Sequence, residues 1–265
     1  MALACLCPAA DPAAAAERSV IGHSVQGRPI VSVRIGTRDP TLRMLVIGAV
    51  HGNEAAGMRI TRRLLELGAP PGAELLIVPT INPDGVAART RGNARGVDLN
   101  RNFPFDWQPL SGGEYSGTGP LSEPESRAAH RFILRMEPDV TIWLHQPFGL
   151  IDRPEGNPFA ASRFADLIGL PLVRLPGRYP GSASRWQNHR LPRTTAFVAE
   201  LPQRASTSLI RRGTAAVYKL ASELASPGVR PHTGGWRRSG GLSRQGEPPT
   251  GDRTRRPARP VPKQF

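Results

Sequence analysis

The chain has 265 residues and a mass of 28.6 kDa, with 39% hydrophobic residues and a formal net charge of +14. This length suits one large domain or two small ones. No apolar run approaches the roughly 18 residues of a membrane-spanning helix, and the cysteines, Cys5 and Cys7, stand one residue apart. A membrane-spanning helix and a disulfide scaffold are therefore excluded.

Much of the positive charge lies at the C-terminus. Residues 226–265 contain nine Lys and Arg against two acidic residues, together with seven Pro and seven Gly. A segment of this composition without apolar periodicity cannot bury enough surface to offset the entropy of ordering it. We therefore predict a disordered basic tail. Binding of nucleic acid or another anionic polymer through this tail is one hypothesis for the function, and it requires steep salt dependence.

Residues 1–17 are apolar and then Ala-rich, but they lack the basic n-region of a complete signal peptide. Two interpretations stay open, a remnant of an export signal and a frayed chain end. We favour the first, which implies a location in the cell envelope rather than the cytoplasm.

Between these ends the pattern alternates strand and helix. Residues 19–23 and 30–35 are predicted strands around a turn, and residues 44–50 form a continuous apolar run typical of a strand buried on both faces. A helix is predicted over residues 54–67 and a buried strand over 74–81, closed by a turn at Asn82-Pro-Asp-Gly85.

The second half of the chain continues the alternation. Helices are predicted over residues 123–136, 159–168 and 208–224, and strands over 140–145 and 195–201. The pattern predicts an α/β domain over residues 18–225, built on a mixed, mostly parallel twisted sheet with helices on both faces.

Ligands of such sheets bind at the carboxyl ends of the strands, where His51, His145 and Glu200 are predicted to lie. His51 and Glu54 stand three residues apart at a strand–helix junction, so one cation could contact both. Two His and one carboxylate with an open fourth position are a known ligand set for catalytic zinc. The ion can polarise a carbonyl group and lower the pKa of its bound water to near 7. Glu200 is then available as a carboxylate base that is not a ligand. Taken alone, an H-x-x-E pair is weak evidence, and a His at the end of a strand is more often structural.

Residues 91–104 are rich in Arg and end in Asp98-Leu-Asn-Arg101 before an aromatic residue. Guanidinium groups bind carboxylates through two parallel hydrogen bonds, and an amide can help to hold them. This segment is therefore predicted to bind a substrate carboxylate.

Taken together, these motifs resemble the zinc carboxypeptidase family. They occur in the family's order over about 150 residues. The matching pieces are His51-Gly-Asn-Glu54, Asn82-Pro-Asp-Gly85, Asp98-Leu-Asn-Arg101, His145, Tyr179 and Phe197-Val-Ala-Glu-Leu201.

The resemblance implies a role for each matching residue. His51, Glu54 and His145 would bind one Zn²⁺ ion, and Glu200 would serve as general base and then as proton donor to the leaving amine. Asp98 would orient the first zinc histidine. Arg91 matches the arginine that stabilises the oxyanion, with Arg89 as a rival. Asn100 and Arg101 match the pair that binds the terminal carboxylate of the substrate. Tyr179 matches the mobile tyrosine that covers the substrate; the alternative is that Tyr179 is only a turn residue.

Within that family the chain is similar to short bacterial members that act on cell-wall peptides. The similar segments are Gly27-Arg-Pro-Ile30, Thr90-Arg-Gly-Asn-Ala-Arg-Gly-Val97, Leu144-His-Gln-Pro147 and Tyr179-Pro-Gly-Ser182. The resemblance implies hydrolysis of the γ-D-glutamyl–diaminopimelate bond of murein peptides.

Three questions about the substrate and the reaction remain open at this point. Arg185, Arg190 and Arg193 are candidate contacts for diaminopimelate, although we expect them on the solvated surface. The residues do not separate a carboxypeptidase from an amidase that cuts internally, since both use the same zinc chemistry. An N-acyl amino acid deacylase of the aspartoacylase type is an alternative, because it shares HGNE- and DLNR-like elements, whereas the NPDG motif and the strand around Glu200 favour the peptidase.

Overall fold

The computed structural model describes residues 16–177 and 179–227, together with the backbone of residues 229–232 and 235–238. The strands lie at β1 (Glu17–His23), β2 (Pro29–Gly36), β3 (Leu42–Ile47), β4 (Ala73–Val78), β5 (Val140–His145), β6 (Leu150–Asp152), β7 (Leu172–Val173), β8 (Thr195–Glu200), β9 (Val229–His232) and β10 (Gly235–Arg238). The α-helices lie at α1 (Ala56–Leu67), α2 (Pro83–Ala88), α3 (Pro124–Met136), α4 (Phe159–Ile168), α5 (Ala183–Arg190) and α6 (Thr207–Ala225).

The main sheet has eight strands in the order β1-β2-β4-β3-β5-β8-β6-β7. Its centre, from β4 through β3 and β5 to β8, is parallel. Antiparallel pairs adjoin this centre on both sides, β2 with β4 and β6 with β8. The predicted mixed α/β sheet is confirmed, and its parallel centre brings the carboxyl ends of β3, β5 and β8 to one edge.

Helices cover both faces of the sheet because the central strands are apolar on both sides. On one face, alternate strand residues such as Val46 and Ile142 pack with α1, α4 and α6 in one buried cluster. On the other face, Ile47 and Trp143 pack with residues of α3 and α5 in a second cluster. The central strands are thus packed between two layers of helices.

Several predicted elements agree closely with the structure, and others needed correction. The predicted strand 140–145 and helix 159–168 have the observed bounds, whereas β3 ends at Ile47 and α1 begins only at Ala56. The turn prediction at residues 82–85 was wrong, because α2 begins there. Asn82 caps that helix by accepting a hydrogen bond from the Gly85 N–H at 2.9 Å, and Pro83 occupies its first turn.

Strands β6 and β7 and helix α5 were not predicted. Strands β6 and β7 have only three and two residues, too few to show an apolar period. Helix α5 is mainly polar, so it shows no apolar period either. The helix is held by tertiary contacts instead: Gln187 is fully buried and donates a hydrogen bond to Thr141 Oγ1 at 2.7 Å.

The predicted terminal segments lie largely outside the described residues. Residues 1–15 are not described, and the chain enters β1 at Glu17. Within the predicted tail, β9 and β10 form an antiparallel pair, a local structure that the composition did not indicate. The rest of the tail prediction, from residue 239 onward, lies outside the described residues. No helix of the described chain has the length and apolarity needed to cross a membrane.

Candidate active site

The site lies at the sheet edge where the parallel strands end. His145 is the last residue of β5 and Glu200 the last residue of β8, and the two are register partners on adjacent parallel strands. His51 follows β3 after a short connection, and β3 is the other neighbour of β5. Gly52 lets this connection pack directly against the backbone of Gly85, which a Cβ atom at position 52 would overlap.

His51, Glu54 and His145 form a compact buried cluster. His51 Nδ1 lies 2.8 Å from Glu54 Oε1 and 3.2 Å from His145 Nδ1, and His145 Nδ1 lies 3.1 Å from Glu54 Oε2. One ligand atom from each residue can be chosen so that all lie within 4.8 Å of one another. The predicted ligand trio is thus brought together from two strand ends and one connection.

Asp98 fixes which nitrogen of His51 faces the cluster. Asp98 is fully buried, and its Oδ1 lies 2.9 Å from His51 Nε2. Because a carboxylate only accepts hydrogen bonds, the Nε2–H of His51 donates to Asp98, and Nδ1 is the ring nitrogen that faces the cluster. The same carboxylate accepts hydrogen bonds from Asn100 N and from Arg91.

The electrostatics of the trio fit a cation. Burial alone would lower the pKa of His51, but hydrogen bonds to Asp98 and Glu54 outweigh burial and raise it. Burial likewise opposes ionisation of Glu54, yet His145 and His51 lower the pKa of Glu54 to about 2. An ionised carboxylate therefore faces two imidazole nitrogens that point at each other. Two His and one carboxylate form the donor set of a catalytic zinc site, in which the fourth coordination position is left for water or substrate.

Glu200 lies beside this trio in the same cavity. Its carboxylate accepts a hydrogen bond from the Phe148 N–H, while Oε2 is buried and has no hydrogen-bond partner among the described residues. Burial raises the pKa of Glu200; the charge of His145 opposes this rise and that of Glu54 adds to it. A carboxylate with a raised pKa and a free oxygen is suited to take up a proton.

The cavity in front of these residues has a volume of about 390 Å³. Arg91 lines it, and its Nη2 donates to Asp98 Oδ2 at 2.7 Å while its Nη1 lies 3.6 Å from Glu54 Oε1. The rival, Arg89, is exposed at the C-terminal end of α2. Of the two arginines, only Arg91 lines the cavity.

Arg101 is almost fully buried at the wall of the same cavity. Its Nη2 donates to Glu114 Oε1 at 2.6 Å, whereas its Nε has no hydrogen-bond partner among the described residues. The guanidinium carbon lies 5.3 Å from the centre of the Tyr179 ring, which also lines the cavity. Asn100 lines it too, and its Oδ1 accepts a hydrogen bond from Ala183 N at the start of α5. The nine residues to which the resemblance gives a role thus lie at one cavity or in direct contact with its wall: His51, Glu54, Arg91, Asp98, Asn100, Arg101, His145, Tyr179 and Glu200.

The comparisons with known proteins agree with this geometry. The sequence profile of the zinc carboxypeptidase family matches residues 9–151. The chain belongs to the zinc carboxypeptidase family. The family predicted from the sequence is confirmed, as is its class of activity, that of a zinc-dependent hydrolase.

Among its relatives, the chain is 30% identical to murein peptide amidase A of Vibrio campbellii over 203 residues, which cover 68% of this chain and 77% of that protein. It is 29% identical to murein peptide amidase A of Escherichia coli K12 over 182 residues, covering 62% of this chain and 74% of the relative. The crystal structure of the murein-tripeptide amidase of E. coli O157 superposes with a TM-score of 0.64 at 26% identity, over 77% of this chain and 91% of that chain. Carboxypeptidase A of Helicoverpa armigera, 20% identical over 79% of this chain and 68% of its own, shares the fold with a TM-score of 0.68.

Sequence reasoning missed several residues of the site. Gln146 joins three segments around the trio: its N–H donates to Glu54 Oε2, its Oε1 accepts from Ala56 N, and its Nε2 donates to Pro202 O. It thereby caps α1, which has no side-chain cap of its own. Glu114, Phe148 and Asp152 also line the cavity. The sequence shows that Gln146 directly follows the predicted ligand His145. It gives no sign of the hydrogen bonds of Gln146, because their partners lie far away in the sequence.

The structure also separates the arginines considered for substrate contact. The expected position on the solvated surface was wrong for Arg185, which lines the cavity with a side chain that is 24% exposed. Arg190 and Arg193 are exposed, as expected. Helix α5 explains the difference, because Arg185 lies in its first turn beside the cavity and Arg190 at its far end.

Proposed function

We propose that this protein hydrolyses a peptide bond next to a free carboxylate, and that its substrate is a murein peptide cut between γ-D-glutamate and diaminopimelate. The observation that carries the proposal is the convergence of the His51–Glu54–His145 trio with Glu200 in a cavity walled by Asn100 and Arg101. The likeness to murein peptide amidases supports the choice of substrate.

His51, Glu54 and His145 would hold the zinc ion. When bound, zinc supplies Lewis-acid polarisation of the scissile carbonyl and makes water more acidic. The protein's own contribution at this point is the orientation of the ligands. Asp98 holds His51 by its Nε2, and Gln146 N–H holds Glu54 by Oε2.

Glu200 provides the proton transfer. Its unpartnered Oε2 accepts the proton of the attacking water, and the protonated carboxyl then delivers it to the amine that leaves. The raised pKa of Glu200 favours the uptake of that proton, because the neutral form is less costly in this buried position.

The arginines orient the substrate and stabilise charge. The Arg91 guanidinium faces the trio and is held there by Asp98, so it can donate to the oxygen of the scissile carbonyl as negative charge develops on it. The Arg101 Nε and the Asn100 amide can bind the carboxylate of the residue that is released. Tyr179 packs over Arg101 and closes this side of the cavity.

The proposal is tested with L-Ala-γ-D-Glu-meso-diaminopimelate and the zinc-loaded full chain. We expect release of free diaminopimelate, detected by mass spectrometry, and its loss on addition of a zinc chelator. N-acetyl amino acids serve as the second substrate class. Hydrolysis of these without hydrolysis of the tripeptide would contradict the proposal and favour the deacylase alternative.

A further inference from the structure

A second, smaller cavity of about 90 Å³ adjoins the catalytic one. The two share lining residues, among them Asp152, Ser184 and Arg185, so the smaller cavity continues the larger one away from the trio. Their common wall therefore carries one acidic and one basic side chain. Neither residue has a part in the hydrolysis described above.

Arg185 has spare hydrogen-bonding capacity at this wall. Its Nη1 is buried and has no hydrogen-bond partner among the described residues, with Asp106 Oδ2 3.6 Å away. Its Nη2 donates at 3.3 Å to Glu155, a residue that is largely exposed. The guanidinium lies 5.5 Å from the centre of the Phe105 ring, which helps to fix its position. A buried donor without an acceptor indicates a ligand group, and for a guanidinium the matching group is a carboxylate.

Asp152 supplies the opposite charge. It ends β6, and its Oδ1 accepts a hydrogen bond from Leu175 N at 3.0 Å. Burial raises the pKa of this carboxyl, while the Leu175 N–H and the charges of Arg174 and Arg185 oppose the rise. The carboxylate is thus incompletely compensated, and an ammonium group at the cavity would stabilise it.

We propose that Asp152 and Arg185 bind the ammonium and the carboxylate, respectively, at the far end of the side chain of the substrate's C-terminal residue. This inference rests on the proposed function and adds the residues that select the substrate. The site then prefers a residue whose side chain ends in its own amino-acid group, as in diaminopimelate. Lysine offers only the ammonium, and 2-aminopimelate only the carboxylate.

The test compares three tripeptides that share L-Ala-γ-D-Glu and end in meso-diaminopimelate, L-lysine or L-2-aminopimelate. We expect wild-type protein to cleave the first with a kcat/KM at least roughly tenfold above each of the others, since one charged contact is worth about this much. Arg185→Gln removes the partner of the carboxylate, which lysine lacks, so it should abolish the preference for diaminopimelate over lysine and keep the preference over 2-aminopimelate. Asp152→Asn removes the partner of the ammonium, so it should abolish the preference over 2-aminopimelate and keep the preference over lysine.

Arg190→Gln is the matched control, because Arg190 lies on the same helix and is exposed. It should leave both preferences unchanged. Arg185→Lys is a second variant that keeps the charge but loses the planar fork, and it should lower the preference over lysine only in part. Equal kcat/KM on all three tripeptides overturns the inference, as does a preference for diaminopimelate that both variants retain.

Binding separates failure of this inference from failure of the proposed function. Free meso-diaminopimelate, L-lysine and L-2-aminopimelate are titrated into the zinc-loaded full chain by calorimetry. If none of the tripeptides is cleaved, the proposed function fails. In that case, the calorimetry still tests the assignment of Asp152 and Arg185. Binding of diaminopimelate at least roughly tenfold tighter than that of either analogue supports the assignment, and equal binding overturns it.

Discussion

His145 and Glu200 are register partners at the carboxyl ends of adjacent parallel strands. This pairing places the proposed general base beside a predicted zinc ligand through backbone hydrogen bonding alone. Neither side chain needs a flexible loop to reach the cavity. Such support from the sheet would keep the proposed base at a constant distance from the site where the attacking water binds.

Glu200→Gln should lower kcat by about a hundredfold to ten-thousandfold, because the amide cannot take up the proton. Zinc content should stay unchanged, since Glu200 is not among the trio. Turnover of the tripeptide and metal analysis by mass spectrometry check both parts. Glu66→Gln, at an exposed position on α1, is the control. Near-normal kcat in the zinc-loaded Glu200 variant would refute the role.

Asp98→Asn should weaken zinc binding by about ten- to a hundredfold, because the amide holds His51 Nε2 less well and no longer adds negative charge. Competition with a chromogenic chelator measures the zinc affinity. Asp166→Asn, at an exposed position on α4, controls for loss of charge in general. Circular dichroism of both metal-free variants reports whether they fold. Unchanged zinc affinity in a folded Asp98 variant would contradict the orienting role.

Arg101→Lys should raise KM for substrates with a free terminal carboxylate by roughly ten- to a hundredfold, because the compact ammonium loses the fork geometry. A substrate whose terminal carboxylate is replaced by a carboxamide should be cleaved poorly by both the wild type and the variant. Its KM should change much less on Arg101→Lys. Steady-state kinetics on the two substrates check this difference. Arg62→Lys, exposed on α1, is the control, and equal effects on both substrates would argue against carboxylate binding.

Asp84 connects α2 to the β1–β2 turn, and its contribution should depend on pH. Burial would raise the pKa of Asp84, but the Gln26 N–H, Ser24 and Arg28 outweigh it and hold this pKa below its ordinary value. A carboxylate whose pKa is lowered by folding stabilises the protein above the pKa of the unfolded chain and ceases to do so as pH falls through the folded value. Asp84→Asn should therefore cost about 2 kcal/mol at pH 7 and progressively less below about pH 4.

Urea unfolding of wild type and the Asp84 variant across this pH range measures the difference in free energy of unfolding. Asp39→Asn, in an exposed connection, is the control and should have little effect at any pH. A destabilisation by Asp84→Asn that stays constant down to pH 3 would show that the ionised carboxylate is not the stabilising form.

The order of the main strands and helices and the metal-ligand trio could be predicted from the sequence because their signals are local. Four of the six residues of the strand 140–145 are apolar, and His51 and Glu54 stand only three residues apart. Parallel topology then requires that the ends of such strands meet at one edge. Glu200 could be assigned for the same reason, as the polar residue that closes a buried strand.

The tertiary structure alone decided the contacts that depend on distant parts of the chain. Asp84 was predicted as a turn residue, yet its partners lie 56 to 60 residues away. Arg185 was predicted on the surface because a lone arginine in a polar segment gives no sign of burial, whereas packing of α5 on the sheet brings it against Asp106 and the cavity. Hydrophobic periodicity reports which face of an element is buried, but the pairing of charged side chains depends on how whole elements pack together. The sequence by itself therefore determined the chemistry of the zinc site, and only the folded structure decided which side chains surround the substrate.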